Sequence, residues 1–142
     1  MPQEARTTTT DLEREEQVQY HEFIAQVSQD PSITDNEHAE AAITATLQVL
    51  GRRLAGGEPS DLAAQLPVGF KDLLAEHTGA AEAFDVDEFL RRIAQREGRG
   101  CGPEQAREHA RAVMGTIAGS ISAGEVNNLR SQLPAGYAFL LD

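Results

Sequence analysis

The chain has 142 residues, a formal net charge of −11 and a single cysteine. A chain of this length forms one domain, and its negative field disfavours binding to nucleic acids and to anionic membrane surfaces. One cysteine excludes an internal disulfide, and no apolar run approaches the roughly 18 residues that span a bilayer. We therefore expect a soluble cytoplasmic protein.

The first half of the chain predicts a disordered tail followed by four helices. Residues 1–9 are polar and aperiodic, which is typical of disordered termini. The first helix is expected to end before Asp30-Pro31, and the long second helix at Gly56-Gly57. Capping boxes or prolines mark the four helix starts, at Thr10, Thr34, Pro59 and Pro67. Apolar residues at helical spacing predict the buried faces: Tyr20, Phe23, Ile24, Val27, Ala39, Ile43, Leu47, Leu50, Leu54, Leu62, Leu66, Phe70, Leu73 and Leu74.

The second half repeats this plan after a linker at residues 77–83. Its first helix is expected to end at Gly98, where a glycine-rich loop over residues 98–102 leads to a long helix. The residues that mark the four helix starts are Asp85, Pro103, Gly124 and Pro134. The predicted buried faces carry Phe89, Leu90, Ile93, Ala106, Ala110, Val113, Met114, Ile117 and Ile121.

The two halves match residue by residue at an offset of 67. Gly57-Glu58 recurs as Gly124-Glu125, and Leu73-Leu74 recurs as Leu140-Leu141. The offset is 66 at Phe23, so the second copy has one extra residue in its first loop. Self-similarity of this kind indicates a repeat architecture. We predict an all-α fold of two tandem four-helix repeats, residues 10–76 and 84–142, with about eight helices packed as one bundle-like domain.

The repeated unit resembles a known family. A Phe-x-x-x-Val/Ile helix, a long Ala-rich helix and a Gly-Glu-x(3)-Leu-x-x-Gln-Leu-Pro element occur in tandem. Over roughly residues 18–142, this order is similar to the bacterial domain-of-unknown-function family 2267. The resemblance implies a helical repeat domain without an established activity, so it implies no catalytic residues. The loop at residues 98–102 departs from the shorter loop expected there.

The duplicated Gln-Leu-Pro element has two interpretations. As a functional element it would form a peptide-binding corner. As a structural element it would place a leucine in the core at the end of one helix and a proline at the start of the next, with glutamine satisfying freed backbone groups. We favour the structural interpretation, because duplicated motifs usually mark shared packing. The residues are Gln65, Leu66, Pro67, Gln132, Leu133 and Pro134.

No local spacing marks a metal or catalytic site. Only His38 follows a carboxylate by three residues, and that carboxylate, Asp35, belongs to a capping turn. Cys101 lies near Arg96 and Arg99 and before a helix N-terminus, a setting that would lower its pKa, but no histidine is close in sequence. We expect solvated histidines, no metal ligand, no cofactor and no catalytic residue. The four histidines are His21, His38, His77 and His109.

The charge distribution favours an interaction role. Residues 1–76 carry 5 basic and 14 acidic side chains, whereas residues 77–142 carry 7 and 9. The arginines of the second half form either a solvated face with intrahelical salt bridges or a docking patch for an acidic partner or a second copy of the chain. We predict a non-catalytic interaction or scaffold module, with a small-ligand or metal pocket between the repeats as the alternative. The patch comprises Arg91, Arg92, Arg96, Arg99, Arg107 and Arg111.

Overall fold

The computed structural model describes residues 18–54, 58–77, 80–98 and 100–141, without the Val68 side chain. Within these ranges the chain forms seven α-helices and one 3₁₀ helix, with no strand, which confirms the all-α prediction. The predicted tail and the capping box at Thr10 lie outside the described residues. The helices are α1 (18–28), α2 (Asn36–Arg53), α3 (Glu58–Ala64), α4 (Val68–Ala75), α5 (Val86–Glu97), α6 (Pro103–Ser120), α7 (Ala123–Gln132) and the 3₁₀ helix (Ala135–Leu140).

The boundaries of α2 differ from the prediction at both ends. Asp35, not Thr34, caps the helix, because its carboxylate accepts a hydrogen bond of 2.8 Å from the backbone N–H of His38. The helix ends at Arg53 rather than at the glycine pair. Leu54 is already extended, with ψ 151°, and its side chain is buried.

The start and end of α5 agree with the prediction. Asp85 accepts a hydrogen bond of 2.9 Å from the backbone N–H of Glu88. Gly98 ends the helix with φ 67°, a left-handed conformation that favours glycine. The α6 helix begins at Pro103 as predicted. The loop between the two helices is therefore held in place at both ends.

The α2 helix is the centre of the packing. It contacts α4, α5 and α6, so apolar residues from both halves of the chain form one core. A Cβ on Gly51 would lie 2.5 Å from the carbonyl oxygen of Leu74, so only glycine allows α2 and α4 to approach this closely. The α3 helix contacts α7, which is a second connection between the halves.

Candidate metal centre

Ionisable side chains from three helices meet where α2 begins. His38 lies in the first turn of α2, Glu97 is the last residue of α5, and His109 lies in the second turn of α6. These three helices pack against one another, so the three positions face a common centre. One potential ligand atom of each side chain lies within 4.8 Å of the other two.

Glu97 lies between the two imidazole rings. Its Oε1 is 3.0 Å from His38 Nε2 and 2.8 Å from His109 Nδ1, and its Oε2 is 2.9 Å from the same His109 nitrogen. The rings meet edge to face, with centroids 4.7 Å apart. The exposed fraction of the side chain is 1% for Glu97, 4% for His109 and 15% for His38. The cluster is therefore nearly closed to solvent, with His38 on its more open side.

Backbone contacts orient both histidine rings. The backbone N–H of Thr34 donates to His38 Nδ1 over 3.2 Å, which leaves Nε2 facing Glu97. The Thr34 hydroxyl, 3.3 Å from the same nitrogen, can accept a hydrogen bond from Nδ1–H in the other tautomer, in which Nε2 carries no proton. The His109 ring also hydrogen-bonds to the backbone of Ser32. Metal-binding histidines usually donate a hydrogen bond from the ring nitrogen that does not bind the metal. The Thr34 N–H instead donates to His38 Nδ1, so metal binding through Nε2 requires the other tautomer.

The charges of the cluster stabilise one another. Burial alone would raise the pKa of Glu97, but the hydrogen bonds and charges of His109 and His38 lower it below its usual value. Burial would lower the pKa of His109, but the hydrogen bond and charge of Glu97, with the Ser32 contact, raise it. Glu97 and His109 therefore each favour the charged form of the other.

Cys101 lies at the edge of this cluster. Its Sγ is 3.7 Å from Glu97 Oε2 and 4.0 Å from His109 Nδ1, although His109 is eight residues away in sequence. Burial, followed by the charge and hydrogen bond of Glu97, raises the pKa of the thiol to about 11. The lowered pKa suggested by the neighbouring arginines is wrong, because Arg96 instead donates to Gln48 over 3.2 Å. The free thiol is protonated at neutral pH.

Local spacing along the chain did not predict this cluster, because its members are 59 and 12 residues apart. The expectation that His109 lies on a polar face is wrong: it is 3% exposed. One signal was present in the sequence. Glu97 follows Phe89 and Ile93 at intervals of four, and His109 lies between Ala106 and Val113, so both occupy predicted buried stripes. Ionisable residues in such stripes need a partner when they are buried.

The arginines of the predicted patch do not form one free surface among the described residues. Arg91 pairs with Glu88, and Arg92 pairs with Glu88 at 2.8 Å and with Glu82 at 3.0 Å. Arg92 also lies over the Phe84 ring, at 4.1 Å. Four further arginines complete the predicted set. Arg96 donates to Gln48, Arg107 lies over the Phe139 ring, Arg111 is exposed, and Arg99 falls outside the described residues.

The geometry of the Gln-Leu-Pro elements favours the structural interpretation. Gln65 Oε1 accepts a hydrogen bond of 2.8 Å from the backbone N–H of Ser122, the residue that caps α7. Leu66 and Leu133 are buried. Pro67 directly precedes α4, and Pro134 directly precedes the 3₁₀ helix. Gln65 and Pro67 also line an open cleft of about 510 Å³ between α1 and α6, which carries mostly uncharged side chains.

A second buried ionisable group lies where α3 contacts α7. Glu58 and Glu125, which occupy the same position in the two halves of the chain, are 5% and 6% exposed. Burial, a hydrogen bond with Glu125, and the charges of Glu125 and Asp61 raise the pKa of Glu58 to about 8. Oε1 of each glutamate has no hydrogen-bond partner among the described residues. The pair therefore holds one proton at neutral pH and carries one negative charge instead of two.

These features define an all-helical domain with a buried His–Glu–His cluster between its two halves. Residues 20–140 match the model of the family described as "Uncharacterized conserved protein (DUF2267)", and the chain belongs to that family, as its repeated motifs suggested. No curated protein matches the chain in sequence. None of the helices in the described ranges is long and apolar enough to cross a membrane.

Proposed function

We propose that this chain binds one divalent transition-metal ion through His38, Glu97 and His109. The observation that supports the proposal is the convergence of three donor side chains from three helices on one buried point, within 4.8 Å of one another. This proposal corresponds to the alternative predicted from the sequence, a small-ligand or metal pocket between the two repeats. The expectation of no metal ligand considered spacing along the chain alone.

The donor set favours a particular class of metal. Two imidazole nitrogens and one carboxylate suit zinc and its first-row neighbours, whereas magnesium and calcium prefer sites built from oxygen. In a tetrahedral zinc site, nitrogen and oxygen ligands lie about 3.4 Å apart, given metal–ligand distances near 2.1 Å. The hydrogen-bonded pairs now measure 2.8 to 3.0 Å. These pairs would need to separate by about 0.4 to 0.6 Å. The donor atoms of the two histidines lie within 4.8 Å of each other and would close on the ion.

An ion at this point would replace protons that now hold the cluster together. Each histidine must present an unprotonated nitrogen to the metal. For His38 this requires the tautomer protonated at Nδ1, which gives up the hydrogen bond from the Thr34 backbone N–H and donates to the Thr34 hydroxyl, 3.3 Å away. For His109 it requires the loss of the proton shared with Glu97, and the positive charge of the ion takes the place of that proton. The ion would connect the first half of the chain to the second.

Isothermal titration calorimetry with zinc on chelator-stripped protein tests the proposal. The wild-type chain is expected to bind one zinc ion tightly and to gain thermal stability. His38→Gln is the informative variant, because His38 is the most exposed member of the cluster and its replacement disturbs the core least. The variant is expected to lose at least about tenfold in affinity, the lower end of what even an outer-shell substitution costs.

His21→Gln is the matched control, since His21 is an exposed histidine on α1. It should bind zinc as the wild type does. Wild-type protein that takes up no stoichiometric zinc would refute the proposal. Equal zinc affinity in His38→Gln and wild type would also contradict it, because the ion would then lie elsewhere.

The interaction module predicted from charge remains a prediction that this geometry favours less. Arg91 and Arg92 are occupied by partners within the chain, and Arg96 donates to Gln48. We propose no enzymatic activity for the cluster. The donor side chains are only 1% to 15% exposed, which leaves little access for a substrate.

A further inference from the structure

Cys101 lies beside two of the three proposed ligands, Glu97 and His109. Its Sγ lies 4.0 Å from His109 Nδ1 and 3.7 Å from Glu97 Oε2. With a zinc–sulfur distance near 2.3 Å, tetrahedral geometry separates a sulfur from a nitrogen ligand by about 3.6 Å. The two observed distances would therefore shorten by less than half an ångström. Cys101 is not among the donors that lie within 4.8 Å of one another, so its sulfur and His38 would also have to approach.

The loop that carries Cys101 is shaped to bring it there. Gly98 and Gly100 both have positive φ, at 67° and 73°, so the chain turns back immediately after Glu97. The backbone N–H of Cys101 donates to the Gly98 carbonyl over 3.0 Å, which closes the turn. Gln105 then accepts a hydrogen bond of 2.7 Å from the N–H of Gly102 at the start of α6. The corresponding connection of the first half, residues 29–35 between α1 and α2, contains no cysteine.

We infer that Cys101 is the fourth ligand of the proposed metal centre and that its sulfur sets the selectivity for a thiophilic ion. This inference rests on the proposed function. On binding, the S–H bond breaks, its electron pair forms the sulfur–metal bond, and the proton passes to water. The complete set is one thiolate, two imidazoles and one carboxylate. A set that includes thiolate selects zinc, cobalt and cadmium over magnesium and calcium.

Four protein ligands also close the site. Structural zinc centres have four protein ligands, whereas catalytic centres have three and a water molecule. A closed centre would fasten the start of α2 to the end of α5 and the start of α6. Such a centre would stabilise the packing of these three helices and would leave no coordination position for a substrate.

Cobalt(II) titration followed by absorption spectroscopy tests the inference. Wild-type protein is expected to show intense visible bands of tetrahedral cobalt together with a near-ultraviolet thiolate-to-cobalt charge-transfer band. In Cys101→Ser the charge-transfer band should vanish, and zinc affinity should fall at least about tenfold. Wild-type protein should also exclude magnesium at concentrations at which zinc saturates the site.

The outcomes separate the inference from the proposed function. Cobalt binding without the charge-transfer band, with unchanged zinc affinity in Cys101→Ser, would overturn the role of Cys101 and leave the His–Glu–His site intact. Failure of the wild type to bind cobalt or zinc would overturn both. Alkylation of Cys101 by iodoacetamide provides an independent readout: zinc should protect the wild-type thiol, and the protection should be lost in His38→Gln.

Discussion

The domain has two sites of buried glutamate, Glu97 and the Glu58–Glu125 pair, and their neighbours have opposite effects on the carboxyl pKa. Glu97 lies between two imidazole rings. Burial would raise its pKa, but the hydrogen bonds and charges of His109 and His38 lower it below its usual value. Glu58 lies against Glu125, and burial together with that second carboxyl group raises its pKa to about 8. All three carboxyl groups are less than a tenth exposed.

This comparison shows that burial alone does not determine the charge of a carboxyl group. Desolvation raises the pKa in both places, and the partner decides the result. A cationic partner keeps Glu97 ionised and makes it a metal donor. A like partner makes Glu58 and Glu125 share a proton, so that pair joins α3 to α7 as a hydrogen-bonding group. The two halves of the chain are thus connected once by an ionic cluster and once by a protonated pair.

Replacing Glu97 should have the largest effect. Glu97→Gln keeps the shape of the side chain but leaves His109 buried without its carboxylate. Removal of one member of a buried pair typically costs about 3 kcal/mol or more of the free energy of unfolding. Urea unfolding in the presence of a chelator measures the loss, and zinc binding should disappear as well. Glu104→Gln, an exposed glutamate on α6, is the control and should unfold as the wild type does. A Glu97→Gln protein as stable as wild type would contradict the ionic account of the cluster.

The Glu58–Glu125 pair should make stability fall as pH rises. The folded pKa of Glu58 is about 8, above the usual 4.5, so its contribution is complete below pH 4.5 and is lost between pH 4.5 and about 8. The slope contributed by one such proton is at most about 1.4 kcal/mol per pH unit. Glu58→Gln, which cannot ionise, should flatten this slope in urea unfolding measured from pH 5 to pH 8.

Other groups must be separated from this effect. The raised pKa of His109 also makes stability fall with pH, but only above about 6.5, because the unfolded histidine is protonated below that value. The range from pH 4.5 to 6.5 therefore reports on Glu58. Asp61→Asn, which removes the third charge named for this pair, should change the slope less. An unchanged slope in Glu58→Gln would show that the pair does not hold a proton.

Replacing a half-buried surface arginine should have the smallest effect. Arg92 pairs with Glu82 and Glu88, and these hydrogen bonds lower the pKa values of both glutamates. Because water and salt screen such pairs, Arg92→Gln should change thermal stability less than either buried substitution, and the change should shrink as salt rises. If Arg92→Gln lost as much stability as Glu97→Gln, the buried cluster at Glu97 would not differ in strength from the solvent-screened pairs of Arg92.

Much of the helical framework follows from local sequence chemistry. The cap at Asp85, the left-handed glycine at residue 98 and the proline at residue 103 act within a few residues of their own helices, so they were predictable. The boundary at Asp35 was missed by one residue, because both Thr34 and Asp35 are good capping residues and the geometry chooses between them.

The candidate site could be predicted only in part. Its side chains come from three helices, and only tertiary packing brings them together. The sequence placed Glu97 and His109 on stripes that face the core, which is a sign of a buried polar contact but does not identify the partner. His38 lies beside such a stripe, not on it. The direction in which Cys101 points depends on the two positive φ angles of its loop.

Anomalous diffraction at the zinc absorption edge, from crystals of the one-to-one zinc complex, tests the central claim most directly. The account predicts one anomalous peak within about 2.0 to 2.2 Å of His38 Nε2, His109 Nδ1 and a Glu97 carboxylate oxygen. A peak bound by other residues, or a cluster that keeps its 2.8 to 3.0 Å hydrogen bonds with no peak among them, would contradict the account.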